Sequence, residues 1–74
     1  MRTNISQFIK DKRKLHKLTQ KDLAEKSGIG LRLVREIEQG KTTMRMDKVN
    51  QILYLFGFEL APAPQPRPTF EDEK

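Results

Sequence analysis

The sequence contains no cysteine, which rules out a disulfide scaffold and any thiolate metal site. Its one histidine, His16, stands among lysines, where it reads as an exposed linker residue rather than a base or ligand. Neither GxGxxG nor GxxxxGK[ST] occurs, and the carboxylates are scattered beside lysines. No phosphate loop, activated nucleophile or paired acid and base is recognisable. The expectation is a protein that is no enzyme, with no catalytic residues, no cofactor and no metal. The longest nearly apolar run, residues 52–58, is far too short to span a bilayer. No signal peptide is visible, so the expected location is the cytoplasm, with no membrane partner.

What is present is positive charge. Fifteen Lys and Arg against ten Asp and Glu give +5 and a pI near 9.8. Residues 1–61 hold thirteen basic and seven acidic side chains, whereas residues 62–74 hold two and three. The first stretch reads as the folded part and the second as a tail, and the folded part carries the basic excess. This is the footprint of a domain that meets phosphates, although a lysine-rich surface that is merely soluble has the same composition. A chain of 74 residues makes one small domain, which buries only about 60% of its unfolded surface and would gain from a second copy.

Along the chain, Ile5, Phe8, Ile9, Lys12 and Leu15 recur at helical spacing, with Thr3 or Asn4 able to cap the start. Positions 10–17, KDKRKLHK, hold five lysines and arginines, either a phosphate-contacting edge or a solvated face. Leu18 precedes Thr19, an N-cap whose hydroxyl can accept from the N–H of Lys21 or Asp22. That helix runs to about Lys26, turns Leu23 and Ala24 inward, and ends at Gly28, with Ile29 plugging the turn. A second helix is predicted over residues 31–39, between Gly30 and Gly40, with Val34 and Ile37 buried. A further stripe runs through Met46, Val49, Ile52, Leu53 and Phe56 to Gly57, with Thr43 able to cap it.

Phe58, Glu59 and Leu60 alternate apolar, acidic, apolar, the pattern of a short strand. No partner strand is visible, so symmetric pairing with a second copy is the economical arrangement and makes these three the candidate dimerisation residues. The alternative is an irregular extension whose Phe58 and Leu60 tuck onto the chain's own helices. Prolines at 62, 64, 66 and 68 then impose an extended tail. It ends in Phe70, Glu71 and Asp72, an aromatic beside acids that could dock on a basic partner or simply solubilise the chain.

Two short helices joined by a glycine turn present one helix to a DNA major groove. Gln20 would grip a phosphate at the start of the first helix. On the second, Arg32 and Arg35 can donate to guanine, Leu31 or Leu33 can touch a thymine methyl, and Glu36 can accept from cytosine. Gln39, Lys41, Thr43 and Arg45 would follow the backbone. Without DNA, Arg32 with Glu36, or Arg35 with Gln39, would pair along the helix instead, and Leu33 could belong to the core.

The segments LTQKDLAEKSGI and IEQGK, at this spacing, resemble the XRE/lambda-repressor-like helix-turn-helix family over residues 5–57. The resemblance implies an all-α domain of four to five short helices, with Gln20 on phosphate, Leu31, Arg32, Arg35 and Glu36 at bases, and Glu38 as a structural acid. Gly30 departs from the family pattern, which often has Ser or Thr capping the recognition helix. Residues 31–60, ending in LFGFEL, resemble the HipB-like antitoxin branch. That likeness implies one short C-terminal strand pairing across a homodimer, autorepression at a palindromic operator on double-stranded DNA, a HipA-like kinase toxin as partner, and a place in the bacterial nucleoid. A protein inhibitor with secondary DNA binding, or a regulator without a toxin, are the alternatives.

Overall fold

The computed structural model describes residues 4–41 and 43–64. Among them are four helices, α1 (Ile5–Leu15), α2 (Gln20–Ser27), α3 (Leu31–Gln39) and α4 (Met46–Leu55), and no strand. The tail residues Phe70, Glu71 and Asp72 lie outside the described residues, as does Thr3.

Each helix starts and stops for a local reason. Asn4 caps α1, its side-chain oxygen accepting from the Gln7 N–H at 2.8 Å. At the other end Lys17 takes φ 55, a left-handed conformation that costs a side chain with a Cβ, so that the Leu18 N–H can reach the Arg13 carbonyl at 3.0 Å. Thr19 forms a reciprocal cap on α2: its hydroxyl accepts from the Asp22 N–H at 3.0 Å, and the Asp22 carboxylate accepts from the Thr19 N–H at 2.9 Å. The Thr19 N–H and, next, the Thr19 hydroxyl hold the Asp22 carboxyl below the usual carboxylate range. Gly28, at φ 80, reverses the chain between α2 and α3, and the buried Ile29 follows it, donating its N–H to the Ala24 carbonyl at 3.1 Å.

Helix α2 packs on α3 and α4, and α1 packs on α3. The core is Ile9, Leu23, Ala24, Ile29, Val34, Ile37, Val49, Ile52 and Leu53, closed at its edge by Ile5, Phe8, Leu31, Leu33, Met44, Phe56 and Leu60. Burying each large aliphatic side chain completely contributes about 1.5–3 kcal/mol. Two polar ties sit inside the packing. The buried Ser6 hydroxyl donates to the Ile37 carbonyl at 2.6 Å, and the Gln51 amide donates to the Ser27 carbonyl at 2.8 Å.

Three expectations need correction. Leu15, placed on the buried stripe of α1, is 68% exposed, because it lies two residues past the inward-facing Arg13 and so on the opposite side of the helix. Met46 is 67% exposed; α4 begins there, and Met44, just before the helix, is the methionine against the core. Thr43 does not cap α4, since Arg45 occupies the N-cap position and makes no side-chain cap bond.

Residues 58–60 form no strand within the chain and fold back on the helices, as the alternative reading of that segment had it. Phe58 donates its N–H to the Leu53 carbonyl at 2.9 Å and meets Phe8 edge to face, with centroids 5.0 Å apart and planes at 76°. The Lys12 ammonium lies 5.0 Å from the Phe58 ring centre and 5.6 Å from that of Phe8. The Leu60 N–H is bound by the Asn50 side-chain oxygen at 2.7 Å. Glu59, between them, is exposed.

Candidate nucleic-acid interface

Helix α3 has a strict division of labour around its circumference. Val34, Ile37 and Glu38 are buried, whereas Arg32, Arg35 and Gln39 are exposed with Glu36 half-exposed beside them. The exposed set falls at i, i+3, i+4 and i+7, one face of a helix.

A polar lock fixes where that face points. The Glu38 side chain, 2% exposed, receives Arg13 Nε at 2.7 Å and Arg13 Nη2 at 3.1 Å on its two oxygens. Arg13 Nη1 donates at 2.9 Å to the Leu18 carbonyl, and the Gln20 amide donates to Glu38 Oε1 at 3.0 Å. One carboxylate near the end of α3 therefore ties down the end of α1, the linker after it and the first residue of α2. A two-pronged guanidinium–carboxylate pair of this kind sets angle as well as distance. No buried side-chain polar atom among the described residues lacks a partner, as a polar network inside a small core requires.

The proposed contact residues sit around this frame as follows. Gln20, expected on a phosphate, spends one amide donor on Glu38 and keeps the other, at the N-terminus of α2. Arg32 is 93% exposed on its side chain and lies 3.4 Å from the Glu36 carboxylate, the helix pairing expected without DNA. An exposed pair of this sort is worth little and opens readily. Arg35 makes no ion pair among the described residues. Leu31 and Leu33 are half-buried and packed on the core, so only their outer edges are free for an apolar contact. Lys41, Thr43 and Arg45 are exposed after α3. Arg45 grips Asp47 with Nη2 at 2.8 Å and Nε at 3.2 Å, and this hydrogen bonding to Arg45 holds the Asp47 carboxyl below its ordinary range. Phe58, Glu59 and Leu60 are elsewhere, against α1 and α4.

Sequence reasoning missed Arg13. It was one member of a basic run, read as an edge or a solvated face, yet it lies four residues after Ile9 and so on the same inward side of α1. Asp47 was read only as a charge near the start of its helix, and its grip on Arg45 was not foreseen.

No group of His, Asp or Glu suited to a metal ion exists among the described residues. No helix among them is long and apolar enough to cross a membrane.

Comparison with known proteins agrees with this geometry. The helix-turn-helix family model HTH_3 matches residues 9–61. A similar protein is y4mF of Sinorhizobium fredii, described as an uncharacterised HTH-type transcriptional regulator, 37% identical over 54 residues that cover 73% of this chain and 71% of that one. No solved structure matches significantly. With the two helices, the glycine turn and the outward face of α3 all falling inside the matched region, the chain belongs to the HTH_3 family of helix-turn-helix transcriptional regulators.

Proposed function

We propose that the protein is a sequence-specific DNA-binding repressor, without enzymatic activity, that works as a homodimer in the bacterial cytoplasm and on the nucleoid. The observation that carries this is the outward face of α3, Arg32, Arg35, Glu36 and Gln39, on a helix whose opposite side is locked by Val34, Ile37 and Glu38. Gln20 at the start of α2 and Lys41, Thr43 and Arg45 after α3 flank that face and would bind phosphates. Residues 1–61 form the DNA-binding and dimerisation unit, and residues 62–74 an appended tail.

Dimerisation through residues 58–60 is supported by the way their N–H groups alternate. Those of Phe58 and Leu60 are bonded inward, to the Leu53 carbonyl and the Asn50 side chain. Those of Glu59 and Ala61 have no partner among the described residues. An exposed edge with every second N–H free is a template for antiparallel pairing with a second copy. Two recognition helices about 34 Å apart would then read a palindrome. The likeness of residues 31–60 to HipB-like antitoxins supports a narrower role, autorepression of an operon that also encodes a HipA-like kinase toxin.

The test is fluorescence anisotropy with a duplex from the protein's own promoter and a scrambled duplex of equal length. Arg35→Ala should cost about 1–3 kcal/mol on the operator, with an unchanged far-UV circular dichroism spectrum. Equal affinity of the unaltered protein for both duplexes would overturn the reading. A neighbouring gene unrelated to kinases would remove the toxin while leaving the repressor.

A further inference from the structure

We infer that α1 carries a further DNA-phosphate site, formed by Lys10 and Lys14, which holds the duplex backbone beyond the end of α3. The inference rests on the DNA-binding reading above. Ser6, Lys10 and Arg13 stand at i, i+4 and i+7 on α1, one stripe of the helix. Both ends of that stripe are bonded near the end of α3. The Ser6 hydroxyl donates to the Ile37 carbonyl at 2.6 Å, and Arg13 Nε donates to the Glu38 carboxylate at 2.7 Å. The turn after α3 also runs close by, since a Cβ on Gly40 would stand 3.6 Å from the Ser6 hydroxyl oxygen. Lys10, between the two bonds, is thereby fixed beside the C-terminal end of α3.

Its side of α1 is the outward one. At about 100° per residue, Ser6 and Arg13 project nearly the same way, with the fully buried Ile9 to one side of them and Lys10 to the other. Lys14, one turn on, lies farther round in the same direction. Lys10 is half-buried and Lys14 is exposed. The face of α3 that carries Arg32, Arg35 and Gln39 is likewise turned from the core. The two lysines and that face therefore open to the same side of the molecule.

The charge there is uncompensated. The ion pairs among the described residues belong to Arg13, Arg32 and Arg45, and neither Lys10 nor Lys14 takes part in one. Glu38 is occupied by Arg13 and Gln20, and Asp11, the acid on α1, accepts from the Gln7 amide at 2.8 Å. Lys17, exposed just past the helix, adds to the same positive end. A lysine ammonium is a compact point charge that suits a phosphate rather than the two-pronged edge of a base. Contacts of this kind position a domain on the duplex and raise its affinity without selecting a sequence.

The experiment is fluorescence anisotropy on the full chain, over a series of salt concentrations, with the promoter duplex and the scrambled duplex. Each of Lys10→Gln and Lys14→Gln should make the slope of log affinity against log salt shallower by about 0.9, and should weaken binding about eightfold at about 0.1 M salt. The loss should be equal on both duplexes, with an unchanged far-UV circular dichroism spectrum, and Lys10→Arg should retain the parent's slope. Lys26→Gln removes the same charge beside Leu55 and Phe56, at the end of α2, and should leave the slope unchanged. Losses at Lys10 and Lys14 no larger than at Lys26 would overturn the site while leaving the DNA-binding reading intact. A loss confined to the promoter duplex would show that Lys10 acts on the aim of α3 and not on a phosphate, and would overturn it too. Equal affinity of the parent for the two duplexes would overturn sequence specificity alone, since the slopes still decide the lysine site; binding to neither duplex would overturn both.

Discussion

Replacing the buried Glu38 by alanine should be the most damaging single change to a polar side chain of α2 or α3. It removes a carboxylate whose side chain is 2% exposed and strands the Arg13 guanidinium, 13% exposed, with only the Leu18 carbonyl left to it. Breaking one side of a buried pair in this way costs about 3–5 kcal/mol, because the remaining charge stays desolvated. The Gln20 amide loses its acceptor as well. At about 0.05–0.15 kcal/mol per residue, a folded part of some 55 residues has roughly 3–8 kcal/mol in total. Glu38→Ala should therefore unfold the domain or leave it barely folded at room temperature. Replacing both partners, Arg13→Met with Glu38→Leu, should recover most of that loss, since an apolar pair needs no solvation. Urea unfolding followed by far-UV circular dichroism on the parent, both single variants and the double variant measures the coupling directly. The reasoning fails if Glu38→Ala costs less than about 1 kcal/mol, the level of an exposed pair, or if the two single losses simply add.

Four further outcomes follow from the helix ends. Thr19→Ala should cost about 1 kcal/mol by removing the α2 cap, seen as a lower urea midpoint. Lys17→Gly should raise the midpoint by up to about 1 kcal/mol, since glycine takes φ 55 without strain and no hydrogen bond made by the Lys17 side chain is lost. Gly30→Ser should stabilise α3 by about 0.5–1 kcal/mol, because Gly30 has φ −63, an added Cβ meets nothing within 4 Å, and serine supplies a cap while restraining the unfolded chain. Asp22 has a lowered carboxyl pKa in the folded chain, so its contribution is complete above the ordinary Asp value of about 3.9 and is lost as pH falls from there through the folded value. Compared by acid titration of unfolding, Asp22→Asn should lie a constant amount below the parent at neutral pH, and the gap should close below about pH 4.

The helix-turn-helix was legible because short-range chemistry decides it. Thr19 and Asp22, Gly28, Gly30 and Gly40 each act within a turn of their own position, and they fixed the ends of α2 and α3 to within a residue. The exposed face of α3 followed from periodicity once Val34 and Ile37 were inward. Where long-range contacts decide, the reading was poorer. Arg13 looks like its neighbours Lys12 and Lys14 until the buried carboxylate 25 residues later is placed against it. Met44 and Met46 are chemically equivalent, and only the path of the chain out of α3 chooses between them. Asn50 likewise gave no sign in the spacing that its side-chain oxygen accepts from the Leu60 N–H, ten residues later in the chain.

The position of Glu38 explains how an exposed polar face and a share of the core can occupy one short helix. A nine-residue helix such as α3 is too short to be stable by itself in water, so its shape and direction must come from what it touches. Ile37 and Glu38 supply that contact, the first through its side chain and a carbonyl held by Ser6, the second through Arg13 and Gln20. Gln39, the next residue, points to solvent. Because the orientation is set on one side, Arg32, Arg35 and Gln39 carry almost none of the folding energy, and surface changes there belong to the class that shifts stability by less than about 0.5 kcal/mol. On the proposed DNA-binding reading, the outward residues are thus free to be exchanged for others that would read different bases, while a change at Glu38 or Arg13 alters the frame that holds them.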